Sequence, residues 1–330
     1  MSTAEPATAV PSGGAPPGVA PGPAGAPRMR LADREGALAW IFLMPSVVYI
    51  LALVAVPFVL AIGFAMSDVT AGDPSFNWVG WRNFRAVFDD PVFWQSLGNT
   101  FLFTAVSMVL IVVLGKVLAN ILVADFRGKW LVRFLVLLPW TTPVALSSVA
   151  WLWMLDSIFS PIDWVLRKLG LLGTPGAVLG PESNQYWLGE PALAMGSVIA
   201  VHVWRLTPLA AVIMMAGLVA IPQDMHEAAK VDGAGYWRRM FEVTIPLVLP
   251  VAAVAALFGA VFTFTDMAVV DVLTNGGPNN ATQVLTSWAF FRGIDGGDVG
   301  QGAAIALFLF PLLLAAAVAI LRAVRRMEIR

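Results

Sequence analysis

Long apolar runs alternate with shorter polar stretches along most of this chain. Six runs stand out, at about residues 37–66, 99–123, 131–155, 193–221, 247–272 and 302–324. Each is at least as long as the roughly 20 residues that cross a hydrocarbon layer as a helix. A backbone inside lipid must satisfy its own hydrogen bonds, so these runs predict transmembrane helices. Several carry prolines: Pro45 and Pro57 in the first, Pro139 and Pro143 around a Trp-Thr-Thr step in the third, Pro208 in the fourth. Helix bundles tolerate such residues, but Pro208 is expected to break its helix and turn freed carbonyls toward a cavity. The predicted fold is all-α, a polytopic membrane protein of six transmembrane helices in residues 36–326. Residues 1–35 are expected to form a disordered N-terminal tail, and residues 327–330 are the C-terminus. Residues 1–27 are rich in Pro, Gly and Ala, cannot bury a core, and are expected to be disordered. The run after Arg28, Arg30 and Arg34 is too long for the roughly 7–15 apolar residues of a cleavable signal, so it reads as a retained anchor.

The stretch between the fourth and fifth runs, residues 222–246, has a different rhythm. Pro222 and Asp224 suit the first turn of a helix, the acid lying near the positive end of the dipole. Glu227, Ala228 and Ala229 continue that short helix, and Gly233 and Gly235 end it. A second short run, Tyr236 to Thr244, leads to Pro246. His226-Glu227-Ala228-Ala229-Lys230 has Lys230 where an HExxH zinc motif needs its second histidine, so it supplies no ligand pair.

Composition sharpens the class. Of 330 residues 58% are hydrophobic and 12% charged, against roughly 25% charged in soluble domains. A net charge of −1 offers no basic field for nucleic acid. The chain has no cysteine and only His202 and His226 as histidines, which excludes thiolate sites and a His-rich metal centre. It has no GxxxxGK[ST] string and no GxSxG elbow. No catalytic residue, cofactor or metal is therefore expected on this chain, and energy must come from another chain or an ion gradient.

Charge also orients the spans. One side carries Arg28, Arg30, Arg34, Arg127, Lys129, Arg133, Lys230, Arg238, Arg239, Arg322, Arg325, Arg326 and Arg330. The other carries only Arg82, Arg85, Arg167, Lys168 and Arg292. The richer side is expected to be cytoplasmic, which places both termini and the 222–246 loop there.

That loop resembles a known motif. Glu227-Ala228-Ala229, three residues, Gly233 and then Ile245-Pro246 looks like the EAA motif of ABC importer permeases, and its long form EAAKVDGAG resembles the carbohydrate-uptake branch, such as maltose, trehalose or glycerol-phosphate permeases. Other strings fall in that family's order: Val79-Gly80-Trp81-Arg82-Asn83-Phe84, Asn99-Thr100, Leu138-Pro139-Trp140, Val203-Trp204-Arg205, and Leu273-Thr274-Asn275-Gly276-Gly277-Pro278. The resemblance covers about residues 37–326. It implies the type I importer permease fold in a bacterial inner (plasma) membrane. It implies a coupling helix, with Glu227, Ala228, Ala229, Asp232 and Gly233 against a separate ABC ATPase that binds ATP and Mg. It also implies a second permease subunit, usually a different chain, and an extracytoplasmic solute-binding protein docking on loops 67–97 and 273–300.

Charges inside spans need explanations, since each costs at least about 2.5 kcal/mol at mid-membrane. Lys116 is near a span end and is expected to snorkel. Arg205 in the fourth span and Asp266 in the fifth could pair structurally. They could instead line a polar cavity where Trp204 stacks on a sugar and Arg205 supplies donors. The external tryptophans, Trp78, Trp81, Trp94, Trp164 and Trp187, read as an interfacial belt. An ion-coupled secondary transporter is the competing reading. It would call for repeat halves and a central carboxylate beyond Asp266, and neither is evident. A membrane enzyme would need a nucleophile and base cluster, which two scattered histidines do not make.

Overall fold

A computed structural model describes residues 35–73 and 75–328. The expected disordered tail, apart from Glu35, lies outside the described residues. The chain divides into two units, residues 1–56 and 57–330. In the first, α1 (Glu35–Ile50) runs into a π-helical turn, Leu51–Ala55. Its apolar side chains, Trp40 and Phe42 among them, are exposed, as a helix facing lipid requires.

The second unit holds the rest of α2 (Val56–Ala65), and then α3 (Arg82–Asp89), α4 (Pro91–Val123), α5 (Lys129–Thr141), α6 (Val144–Met154), α7 (Pro161–Lys168) and α8 (Pro191–Val219). After these come α9 (Gln223–Val231), α10 (Tyr236–Arg239), α11 (Ile245–Phe264), α12 (Ala268–Thr274), α13 (Leu285–Phe290) and α14 (Val299–Glu328). Among the described residues, five helices are long and apolar enough to cross a membrane: Ala39–Ala65, Pro91–Val123, Pro191–Val219, Tyr236–Phe264 and Val299–Arg322. The pair α5 and α6, bent by 97°, makes a sixth when taken as one broken span.

The prolines explain several irregularities, though not as expected. The third run, predicted as one span over 131–155, is the bent pair. Pro143 forces Thr142 into an extended conformation (ψ 136°), and the Thr142 hydroxyl donates to the Leu138 carbonyl at 2.7 Å to close α5. Pro208 does not break its helix; α8 runs continuously through it. Neighbouring helices can absorb the one lost hydrogen bond. Two π-helical turns, Leu51–Ala55 and Met240–Thr244, each end two residues before a proline, Pro57 and Pro246. A proline ring crowds the carbonyl four residues back and withholds its N–H, so the turn widens there.

The fifth run, predicted as one span over 247–272, also divides. α11 stops at Phe264, and after Thr265 the Asp266 carboxylate accepts from the Val269 N–H at 3.0 Å, starting α12.

The main core lies where α4, α8 and α11 meet, with Phe103, Ile111, Val198, Leu206, Met214 and Ala255 buried. Small residues permit the approach. A Cβ on Gly115 of α4 would lie 2.9 Å from Ala210 Cβ of α8, too close for any real contact. Without a hydrophobic drive between helices in lipid, such close backbone packing is what holds them. A second core joins α3, the start of α4, α13 and α14 through Val87, Phe93, Leu285, Trp288 and Ile305.

Candidate functional site

The 222–246 loop is built from its caps. Pro222 sits at the N-cap, one residue earlier than its composition suggested, and α9 follows with Asp224 in its first turn and Lys230 in its last. Both charges favour the dipole. Gly233 ends α9 in the left-handed region at φ 73°. The Ala234 N–H donates to Ala229 O at 2.9 Å and the Gly233 N–H to Lys230 O at 3.0 Å, the paired bonds of a Schellman cap. No atom lies within 4 Å of a Cβ added to Gly233, so glycine is needed there for its backbone and not for space.

Of the predicted coupling residues, Ala229 alone is buried. Glu227, Ala228, Asp232 and Gly233 are exposed. Beside them Val231 is 87% exposed, and Tyr236 and Trp237 of α10 are also uncovered. Sequence reading passed over these three. The signal was available: apolar and aromatic side chains within a polar loop need a covering surface. Arg238 pairs with Glu242 one turn on, at 2.8 Å, on the exposed side.

The polar residues inside the bundle form one network. Arg205 of α8 pairs with Asp266, whose side chain is almost wholly buried. His202, one turn earlier on α8, places Nδ1 3.3 Å from the same carboxylate, and its Nε2 lies 2.9 Å from the Thr263 hydroxyl. Thr263 donates in turn to the Gly259 carbonyl at 2.6 Å, and the Thr286 hydroxyl donates to the backbone carbonyl of Asp266 at 2.8 Å. His202 was missed as a partner, although its spacing of three from Arg205 puts both on one helix face.

Trp204 does not join them. Adjacent helical residues point about 100° apart, and Trp204 faces a groove between α4, α5 and α8 of about 760 Å³, lined by Leu114, Val136, Pro139 and Thr207. There it meets Trp151 edge-on, with ring centroids 5.4 Å apart. The three residues expected along the pathway thus divide between a buried ion pair and an apolar groove. Trp187 has a partner within the chain: its indole N–H donates to the buried carboxylate of Asp163 at 2.9 Å.

At the other end of the bundle the stretches 65–99 and 275–298 are tied together. The Asn83 amide donates to Ala65 O at 3.0 Å and Ser67 O at 2.7 Å. The Asn99 amide donates to Asn280 O and Gln283 O, both at 3.0 Å. Arg292 pairs with Asp90 at 2.6 Å, and the Leu285 N–H donates to the Thr100 hydroxyl at 2.9 Å.

Residues 111–329 match the model of the binding-protein-dependent transport system inner membrane component family. The chain belongs to this family. It is 32% identical over 285 residues to the trehalose/maltose transport system permease protein MalF of Thermococcus litoralis, covering 86% of this chain and 92% of that one. It is 29% identical over 290 residues to the sulfoquinovosyl glycerol transport system permease protein SmoG of Agrobacterium fabrum, covering 87% and 90%. A solved bacterial alginate ABC transporter, in complex with an alginate pentasaccharide-bound periplasmic protein, contains a chain with the same fold, with TM-score 0.74, 17% identity and coverage of 91% and 98%. The protein is therefore a multi-pass inner-membrane permease of the ABC importer class, a translocation subunit and not an enzyme. An ion-coupled transporter is not what its relatives are.

Proposed function

We propose that this permease carries a sugar or sugar-like solute inward, driven by a separate ATPase that docks on α9. The observation that carries the docking reading is the capped stub itself: a nine-residue helix with Glu227 and Ala228 outward and Val231, Tyr236 and Trp237 uncovered beside it. Glu227 gives the partner a charged acceptor, and Ala228 lets it approach the backbone closely. Ala229 anchors the stub inward, and Asp232 and Gly233 fix its end. ATP and Mg are held by that partner and not by this chain. A second, homologous permease completes the pore. A solute-binding protein docks at the opposite end, on loops 67–97 and 273–300. The lysine and arginine bias supports a cytoplasmic loop and cytoplasmic termini. The names of the relatives support a carbohydrate substrate. ATP closes the ATPase pair and tilts the stubs, and the difference in ATP affinity between the two states drives the switch.

The test is Gly233→Asp in the assembled transporter. Membrane insertion is expected to stay normal, while uptake falls and either ATP hydrolysis runs uncoupled or the ATPase dissociates. Normal solute uptake in that variant would overturn the docking reading.

A further inference from the structure

The bundle has a second polar cavity, distinct from the Arg205–Asp266 network. It lies between the end of α4 and the 223–244 loop and holds about 180 Å³. Lys116, Asn120, His226, Tyr236, Arg239 and Thr244 line it, together with a single apolar residue. Two cations face this space, and no carboxylate lines it. Lys116 Nζ donates to the neutral Asn120 amide oxygen at 2.8 Å. Arg239 has a buried Nε without a hydrogen-bond partner among the described residues. The contrast with its neighbour is direct, since Arg238 has Glu242. A buried guanidinium nitrogen and a half-buried ammonium beside it are costly without a counter-charge. The hydroxyls of Tyr236 and Thr244 and the His226 ring complete a set dominated by donors.

A second cavity of about 380 Å³ adjoins it, sharing Lys116, Asn120 and Met240. Its other walls are apolar, among them Val112, Val113, Phe241 and Leu249. Val113 and Phe241 are more than half exposed along it. A cationic pocket opening into an apolar groove at the end of a membrane span has the shape and charge of one ligand class. We propose that it binds an anionic phospholipid, with the headgroup phosphate between Lys116 and Arg239 and an acyl chain along the groove past Val113. Because His226, Tyr236 and Arg239 belong to the loop and Lys116 to α4, the bound lipid fastens the loop to the bundle. Transport then depends on the anionic lipid content of the membrane. Lipid retention can be read without any transport, so the proposal stands or falls apart from the docking of an ATPase.

The intact transporter is purified in detergent, exchanged into phosphatidylcholine nanodiscs with or without phosphatidylglycerol, and its retained lipid measured by native mass spectrometry. The parent and Arg238→Gln are expected to retain phosphatidylglycerol. Arg239→Gln and Lys116→Gln are expected to bind it about fivefold more weakly each, the scale of one basic side chain near an anionic lipid. Val113→Trp fills the groove without touching the charges and is expected to lower lipid retention as well. It keeps the proposal testable if the charge variants do not assemble. Retention in Arg239→Gln equal to that in Arg238→Gln would overturn the proposal. So would thermal stabilisation by inorganic phosphate that matches phosphatidylglycerol and is unaffected by Val113→Trp, because the ligand would then be a soluble phosphate.

Discussion

The two ends of the bundle solve opposite problems. At one end, Asn99 with its two carbonyl partners and the Arg292–Asp90 pair stitch segments nearly two hundred residues apart, while buried Asn83 ties α3 back to Ala65 and Ser67. At the other, α9 and α10 carry exposed Val231, Tyr236 and Trp237, and α9 keeps its form through a cap made of its own backbone. The first end is cross-linked within this chain by those side-chain bonds, with Trp78 and Trp81 left exposed on it. The second is a short helical stub without such long-range ties among the described residues, its large apolar side chains uncovered. A cross-linked end and a self-capped, uncovered stub fit the proposed docking of a binding protein on one side and an ATPase on the other.

The contrast can be broken or sharpened by substitution. The largest effect is expected from Asp266→Ala, which strands the Arg205 guanidinium and removes the acceptor that starts α12. A stability loss of about 3–5 kcal/mol, the cost of leaving one partner of a buried pair, should appear as a lower thermal midpoint in detergent. Next, Asn83→Ala leaves the Ala65 and Ser67 carbonyls without their donor and is expected to cost about 1–3 kcal/mol by the same measurement. Gly233→Ala puts a Cβ into the left-handed region at a local cost of about 1 kcal/mol. Its midpoint should barely move while uptake falls, and a matched loss of stability and uptake would erase the distinction between the two ends. Last, Arg238→Ala removes an exposed pair within one helical turn and should change neither midpoint nor uptake measurably.

Much of this was legible in the sequence, for definite reasons. The apolar runs announce spans because lipid admits few alternatives, and the Gly233 stop announces itself because a left-handed cap favours glycine. The polar network was legible as a list and not as a geometry. Arg205 and Asp266 were evident as charges in apolar runs. That Trp204 points away from Arg205 follows from the 100° step of the helix, but which groove it enters follows only once packing around Gly115 and Ala210 sets the helix phase. The bend after Thr142 and the intact helix at Pro208 show why proline alone does not forecast a break. In the first, a second constraint acts, as Thr142 closes the turn with its own hydroxyl. In the second, α8 packs against α4 and α11, and its helix continues through the proline.

The Asp266 carboxylate joins three pieces of chain at once: the guanidinium of α8, the link just after α11 that carries it, and the Val269 amide in the first turn of α12. A rivet through three plates forbids them to slide. Any motion that separates those pieces has to break this pair and this hydrogen bond. Outside that joint the backbone already departs from the regular α-helix at the right-angled corner between α5 and α6 and at the widened turns Leu51–Ala55, Met240–Thr244 and Phe291–Asp295.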